Sequence, residues 1–202
     1  MEFREISHKN AHILINDKKF KKLYNEITST LKSISDDDIK SKFKEYSLRV
    51  KSQKSLSKSI NELIKERLEL KGWNSESALF RQKPYSNKNQ SRWRLDFAKD
   101  KISVEVGFNH GEAIAHNLIK PVLASQQNHV RKEVETEIGV IITATNELKK
   151  AGNFDSAVGS FEKYESYLLP YSNILSSPLL LIGLEAPKTF IIDKTTKKIK
   201  VI

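Results

Sequence analysis

Asp96 and Glu105 are the residues whose types and spacing suit chemistry best. They stand nine positions apart, on either side of Lys99-Asp100-Lys101. That tripeptide reads as a turn between two strands, so a hairpin would bring the carboxylates together. Within Ile102 to Phe108, Ile102, Val104, Val106 and Phe108 alternate with Ser103, Glu105 and Gly107, which puts Glu105 on the face opposite the apolar one. Two convergent carboxylates suit one hard cation. Mg²⁺ prefers oxygen ligands, keeps several waters and is commonly held by one or two carboxylates plus a substrate phosphate; Mn²⁺ is the expected substitute. Such an ion activates water and stabilises a leaving oxygen, which is the chemistry of phosphodiester hydrolysis. Metal nuclease centres often carry a third group two residues after the Glu, on the same face, to orient or deprotonate the attacking water. Here that position is Gly107, which has no side chain to do so. On spacing alone, a solvated hairpin with surface charges explains the pair more simply.

Other hydrolytic centres find less support. The chain has no cysteine, so it offers neither disulfides nor a thiolate zinc site. His110 and His116 are six apart, a poor match for zinc ligands on one helix face. No G-x-S-x-G turn and no G-x-x-x-x-G-K-[ST] loop occurs, so neither a serine hydrolase nor an ATP site is expected. With 35 Lys and Arg against 25 Asp and Glu, the formal charge is +10 and the pI about 9.6, which points to polyanionic partners. The first residues lack the apolar core of a signal peptide, and the run Leu179 to Ile182 is far too short to span a bilayer. A cytoplasmic protein with no membrane partner is the expectation.

The elements that must position the pair follow from periodicity. At 202 residues with 38% hydrophobic content, one domain with one substantial core is expected. Residues 2–15 have short-strand character at both ends. Asn16-Asp17 offers a cap for a helix to about Ile34, with Phe20, Leu23, Ile27 and Leu31 as its apolar stripe. Residues 35–57 are polar, without sustained periodicity; they read as mobile, or as an insertion with a short helix near Ile39 to Leu48. The next helix runs from Ser57 to Leu70, with a capping box at Ser59 and Glu62, a stop at Gly72, and Trp73 packing back on the core. A strand and loop are predicted over 78–89, a strand from Arg92 to Phe97, and a helix from Glu112 to Val130 kinked or restarted at Pro121. Ile138 to Ala144 and Leu179 to Gly183 read as strands buried on both faces, with a helix over Phe161 to Leu169 between them. A hairpin of Thr189 to Asp193 and Lys198 to Ile202 closes the chain. The class is mixed α/β.

The stretch Leu95-Asp96-Phe97 through Val104-Glu105-Val106-Gly107-Phe108 resembles the active-site hairpin of the BglII and BstYI type II restriction endonucleases, grouped with BamHI in the PD-(D/E)xK nuclease superfamily. Ile6-Ser7-His8-Lys9-Asn10 resembles the opening strand of that family, and Ile60 through Gly72-Trp73 the helix before its core. Gly139 to Thr143 and Leu179 to Leu184 resemble its later strands, with Phe161 to Glu165 in the helix between them. The resemblance implies a restriction-endonuclease-like mixed β-sheet core flanked by helices. It also implies a Mg²⁺ site on Asp96 and Glu105, and a homodimer cutting both strands of a short palindromic double-stranded DNA, one containing GATC in the relatives. BglII-type members usually carry Gln where this chain has Gly107. Glu76, three residues after Trp73, aligns with a comparable upstream Glu of BamHI and would complete an acidic trio. The family's base readers point to Asn109, His110, Asn153, Asp155 and Ser156, and Arg92 and Arg94 would serve phosphates. A cognate DNA methyltransferase would belong to the same system. Two alternatives stand beside this reading: a DNA-binding protein of the same fold that has lost cutting, as Gly107 suggests, and a basic interaction protein with no nuclease centre.

Overall fold

The computed structural model describes residues 1–49, 54–87, 91–126 and 131–202. Its centre is a six-stranded mixed sheet in the order β1-β6-β5-β4-β3-β2, built from β1 (Phe3–His8), β2 (Asn74–Ala78), β3 (Arg94–Lys99), β4 (Ile102–Val106), β5 (Ile138–Ala144) and β6 (Leu179–Leu184). Strands β4, β5 and β6 are mutually parallel, and β1, β3 and β2 are antiparallel to their neighbours. Every residue of β4, β5 and β6 is buried, as expected where helices cover both faces of a parallel core.

One face receives α2 (Lys18–Ser33), α3 (Asp36–Arg49) and α4 (Ser57–Leu70). Phe20, Leu23, Ile27, Ile60 and Ile64 pack there with Ile102, Val104, Val106, Val140 and Ile142. The other face receives α5 (Ile114–Ser125) and α7 (Phe161–Leu168), where Ile114, Leu118, Phe161 and Tyr164 meet Ile141, Leu179 and Leu181. Two short helices, α1 (Ala11–Leu14) and α6 (Asn146–Ala151), and the hairpin of β7 (Phe190–Ile192) and β8 (Ile199–Val201) complete the elements.

Several boundaries differ from the sequence expectation. Residues 11–14 are helical, so strand character survives only at the start of 2–15. The short helix near Ile39 to Leu48 is the longer α3, launched by a reciprocal cap. The Asp38 carboxylate accepts from the Ser35 backbone N–H at 2.8 Å and the Ser35 hydroxyl accepts from the Asp38 N–H at 3.1 Å. Only Ile39 and Phe43 of α3 are buried, which is why no periodicity announces it. No capping box forms at Ser59 and Glu62. Helix α4 already begins at Ser57, Ser59 is buried with a hydroxyl unpartnered among the described residues, and Glu62 accepts from the Tyr46 hydroxyl.

Gly72 does stop α4, at φ 79. Its N–H bonds the Glu69 carbonyl and the Trp73 N–H the Leu68 carbonyl, the pair of reversed bonds that ends a helix in a left-handed residue. Trp73 is thereby driven into the core and donates its indole N–H to Glu26. The chain enters β2 at once, so the strand predicted over 78–89 ends where it was expected to begin. Residues 79–87 form turns tied down by the Leu79 N–H on the Trp93 carbonyl and by the Phe80, Tyr85 and Trp93 rings. Lys88 and Asn89 lie outside the described residues. The helix expected from Glu112 is a 3₁₀ turn, Gly111–Ala113, followed by α5, which runs through Pro121 as one helix; 127–130, at its expected end, lie outside the described residues.

Candidate active site

The β3–β4 hairpin turns tightly through Asp100, at φ 47, and Lys101. Its register pairs Lys99 with Ile102, Ala98 with Ser103 and Phe97 with Val104. One step further, Asp96 faces Glu105, and there the ladder stops. Asp96 Oδ2 instead accepts the Val106 N–H at 2.6 Å, while Glu105 and Val106 pair with Ile141 and Ile142 of β5. Strand β3 thus peels away from β4 and leaves a notch into which both carboxylates point.

The notch is short of compensation for its charge. Glu105 is 1% exposed, and its Oε1 has no hydrogen-bond partner among the described residues. Burial, and then the neighbouring Asp96 charge, push the Glu105 carboxyl well above the usual carboxylate range, against the pull of Lys120. Burial also raises Asp96, opposed by Lys120 and the Val106 N–H and aided by Glu76. An orphaned buried carboxylate oxygen beside a second carboxylate fits a hard divalent cation. Asp96 and Glu105 are the residues that would hold it; among the described residues no three His, Asp or Glu side chains form such a group.

Glu76 is brought to the rim. Ser75 pairs with Phe97 and Ser77 with Leu95, which sets Glu76 across from Asp96 on β2, in a left-handed conformation at φ 49. Its side chain is 62% exposed and its carboxylate lies 3.9 Å from the Arg94 Nε. It does not join Asp96 and Glu105. Arg94 is otherwise half-buried, with an unpartnered Nη1 among the described residues. Arg92 lies exposed in the 3₁₀ turn Ser91–Trp93, and its carbonyl hydrogen-bonds the His116 ring at 2.7 Å.

The two expected base-reading segments are stitched together. The Gly111 N–H bonds the Ala157 carbonyl at 2.6 Å, the Gly159 N–H bonds the Asn109 carbonyl at 3.0 Å, and His110 bridges Val158. Asn109 and His110 are exposed in this loop pair. Asn153 and Asp155 are occupied locally: the Asn153 amide donates to the Lys54 carbonyl, and the Asp155 carboxylate accepts the Ala157 N–H. Ser156 is exposed, with its carbonyl against Lys149.

One residue of the notch escaped sequence reasoning. Lys120 projects from α5 with its side chain 8% exposed, its ammonium on Glu105 Oε2 and, at 3.0 Å, on the Arg94 carbonyl. Its signal was present: Asn117 and Lys120, three apart, interrupt the apolar face of a helix whose other buried residues are Ile114, Leu118, Pro121, Val122 and Ala124. Asn117 donates to the Tyr164 hydroxyl at 2.7 Å, and that hydroxyl fills the space beside Gly107, where an added Cβ would stand 2.3 Å from it. Burial, with Glu105 and Asp96 adding to it, raises the Tyr164 phenol, which therefore stays neutral.

A mixed sheet with helices on both faces and an acidic notch where its hairpin splays defines a restriction-endonuclease fold. The crystal structure of restriction endonuclease BglII complexed with a DNA 16-mer superposes with a TM-score of 0.66 at 20% identity, covering 99% of this chain and 87% of that one. Free BglII superposes with a TM-score of 0.54 at 17% identity, covering 95% of this chain and 83% of that one. The family described as restriction endonuclease BglII/BglIII matches residues 3–184, and the chain belongs to it. No curated protein matches the chain.

Proposed function

We propose that this chain is a type II restriction endonuclease that hydrolyses phosphodiester bonds in both strands of a short double-stranded DNA site, with Mg²⁺ held by Asp96 and Glu105. The observation that carries the reading is the notch itself: two facing carboxylates, both raised in pKa, with Glu105 Oε1 buried and unpartnered. A bound divalent ion would supply Lewis acidity toward water and phosphate there. The side chains divide the remaining work. Asp96 is clamped by the Val106 N–H, and Glu105 is walled in by β5 and held by Lys120 of α5. Glu76 and Arg94 stand at the rim, where a strand of DNA would pass, with Arg92 beyond them as a phosphate contact.

The net charge of +10 and the likeness to a structure determined with DNA support duplex DNA as the partner. A palindromic site, with the GATC core of the relatives as the first candidate, calls for a homodimer with one notch per subunit, and a cognate methyltransferase for a host that keeps its own DNA intact. Both enzymes would act in the cytoplasm. Gly107 favours a second reading, a DNA binder of this fold that no longer cuts. Phage DNA incubated with the protein in MgCl₂ or in EDTA separates the two: discrete Mg²⁺-dependent fragments are expected, and bound but intact DNA would favour the second. Sequencing the fragment ends reads the site and overhang. Asp96→Ala and Glu105→Ala are each expected to abolish cutting while DNA remains bound; parental cutting by either would remove that residue from the site.

A further inference from the structure

The position two residues after Glu105 has no side chain, and the structure supplies both a reason and a replacement. Gly107 faces the same side of β4 as Glu105, but an added Cβ would stand 2.3 Å from the Tyr164 hydroxyl and 2.8 Å from its Cζ. Tyr164 is 1% exposed and is anchored by Asn117, so it cannot swing aside without opening the core. No side chain can therefore reach the notch from β4 at this position. From the other side of that space, α5 delivers Lys120. Its stem is buried and its ammonium rests on Glu105 Oε2 and the Arg94 carbonyl. An ammonium has three N–H donors, and these two partners take two of them.

A lysine is an unfavourable core residue. A buried ion pair roughly breaks even against apolar side chains of the same size, so stability alone does not explain its place in an otherwise apolar helix face. We propose that Lys120 supplies from helix α5 the water-orienting, charge-stabilising ammonium of the cleavage reaction, in place of the side chain that Tyr164 bars from position 107. The inference rests on the nuclease reading above. In the reaction the water oxygen forms a bond to phosphorus and one bridging P–O ester bond breaks. The water gives a proton to solvent, and the leaving oxygen takes a proton from solvent. Lys120 remains protonated throughout. It donates one N–H to the attacking oxygen and places positive charge beside the pentavalent phosphate, a preorganised donor of the kind whose removal slows enzymes on the order of 100-fold or more.

This role separates from a structural one through metal binding. Lys120 competes with a cation for Glu105, so removing the ammonium while keeping its stem is expected to leave Mn²⁺ affinity unchanged or tighter. The experiment compares the full-length parent with Lys120→Met and Lys120→Arg. Mn²⁺ affinity is read by calorimetry without DNA, and single-turnover cutting is read at saturating MgCl₂. The expected result for Lys120→Met is cutting slowed on the order of 100-fold with Mn²⁺ affinity retained, and for Lys120→Arg an intermediate rate. Lys120→Met cutting within about threefold of the parent overturns the proposal, as does a loss of Mn²⁺ affinity in step with cutting. Should Lys120→Met not fold, Lys120→Arg carries the test, because it keeps the charge and displaces the donor: a parental rate overturns the proposal, and slowed cutting with parental Mn²⁺ affinity supports it. A parent that cuts no DNA with either ion sinks the nuclease reading itself, a result distinct from a parent and a Lys120→Met variant that cut equally well.

Discussion

A fully buried Glu105 and a partly buried Asp96, served by one ammonium, leave the notch with more negative charge than it can neutralise. Asp96 and Glu105 are both raised above their ordinary pKa, chiefly by burial and, for Glu105, by the other carboxylate. A carboxyl whose folded pKa exceeds its unfolded value stabilises the fold at acid pH and loses that contribution as pH rises through the folded value. The metal-free protein should therefore give up stability at this site between the ordinary carboxylate range and neutrality, and regain it when a divalent ion takes the two charges. Asp96→Asn isolates the effect, because its side-chain oxygen can still accept the Val106 N–H while Glu105 keeps Lys120. In EDTA the variant is expected to melt above the parent by about 3 °C near neutral pH, corresponding to roughly 1 kcal/mol, with the gap narrowing as pH is lowered. With MgCl₂ the gap should close, since the parent alone gains a ligand. Calorimetric melts across pH in both conditions check this, and a gap that widens toward acid pH would contradict the assignment of the raised groups.

At the scale of elements, what could be read in advance depended on whether the signal was local. The β3–β4 hairpin announced itself because alternation and turn residues lie within fourteen positions, Leu95 to Phe108. Strand β2 did not: it is an edge strand of Asn, Ser, Glu, Ser and Ala whose existence depends on pairing with β3 and on the Gly72 reversal upstream. Lys120 shows as a polar interruption of the α5 apolar face, but its role was hidden for the same reason, since the meaning of that lysine depends on Glu105 across the sheet face. The two serine–acid pairs make the contrast testable. Ser35 and Asp38 exchange bonds at the start of α3, and those bonds, led by the Ser35 N–H, hold the Asp38 carboxyl down at about 2. Ser59 has the same sequence signature but lies inside α4 with a buried hydroxyl unpartnered among the described residues. Ser35→Ala is expected to cost about 1 kcal/mol. Ser59→Ala, which removes an unsatisfied buried group, should be neutral or stabilising by about 1 kcal/mol. Denaturant melts decide, and equal losses at both serines would mean that the α4 start is capped after all. Because the Ser35 hydroxyl is one of the donors that depress the Asp38 pKa, that part of the Ser35 effect should fade as pH falls from about 4 toward 2 and persist above.

For the whole molecule, the nuclease reading predicts that the +10 charge holds DNA while the clustered loops read it. Phosphate contacts release counterions, so each one lost should reduce the slope of log affinity against log salt by about 0.9, irrespective of base sequence. Base contacts change which duplex is preferred and leave that slope nearly untouched. Arg92 is exposed on the 3₁₀ turn before β3, with no carboxylate partner among the described residues, and is proposed as a phosphate contact. His110 is exposed where the 108–111 and 153–160 segments are stitched together, and is proposed as a base reader. In an Asp96→Ala background, expected to hold DNA without cutting it, Arg92→Ala should weaken binding to preferred and scrambled duplexes alike and flatten the salt dependence by about one counterion. His110→Ala should bring preferred and scrambled duplexes closer together, by about 1–3 kcal/mol of lost discrimination, at an unchanged slope. Fluorescence anisotropy over a salt series measures both quantities at once. If His110→Ala flattens the slope while leaving discrimination intact, the stitched loops grip the backbone and the reading surface lies elsewhere.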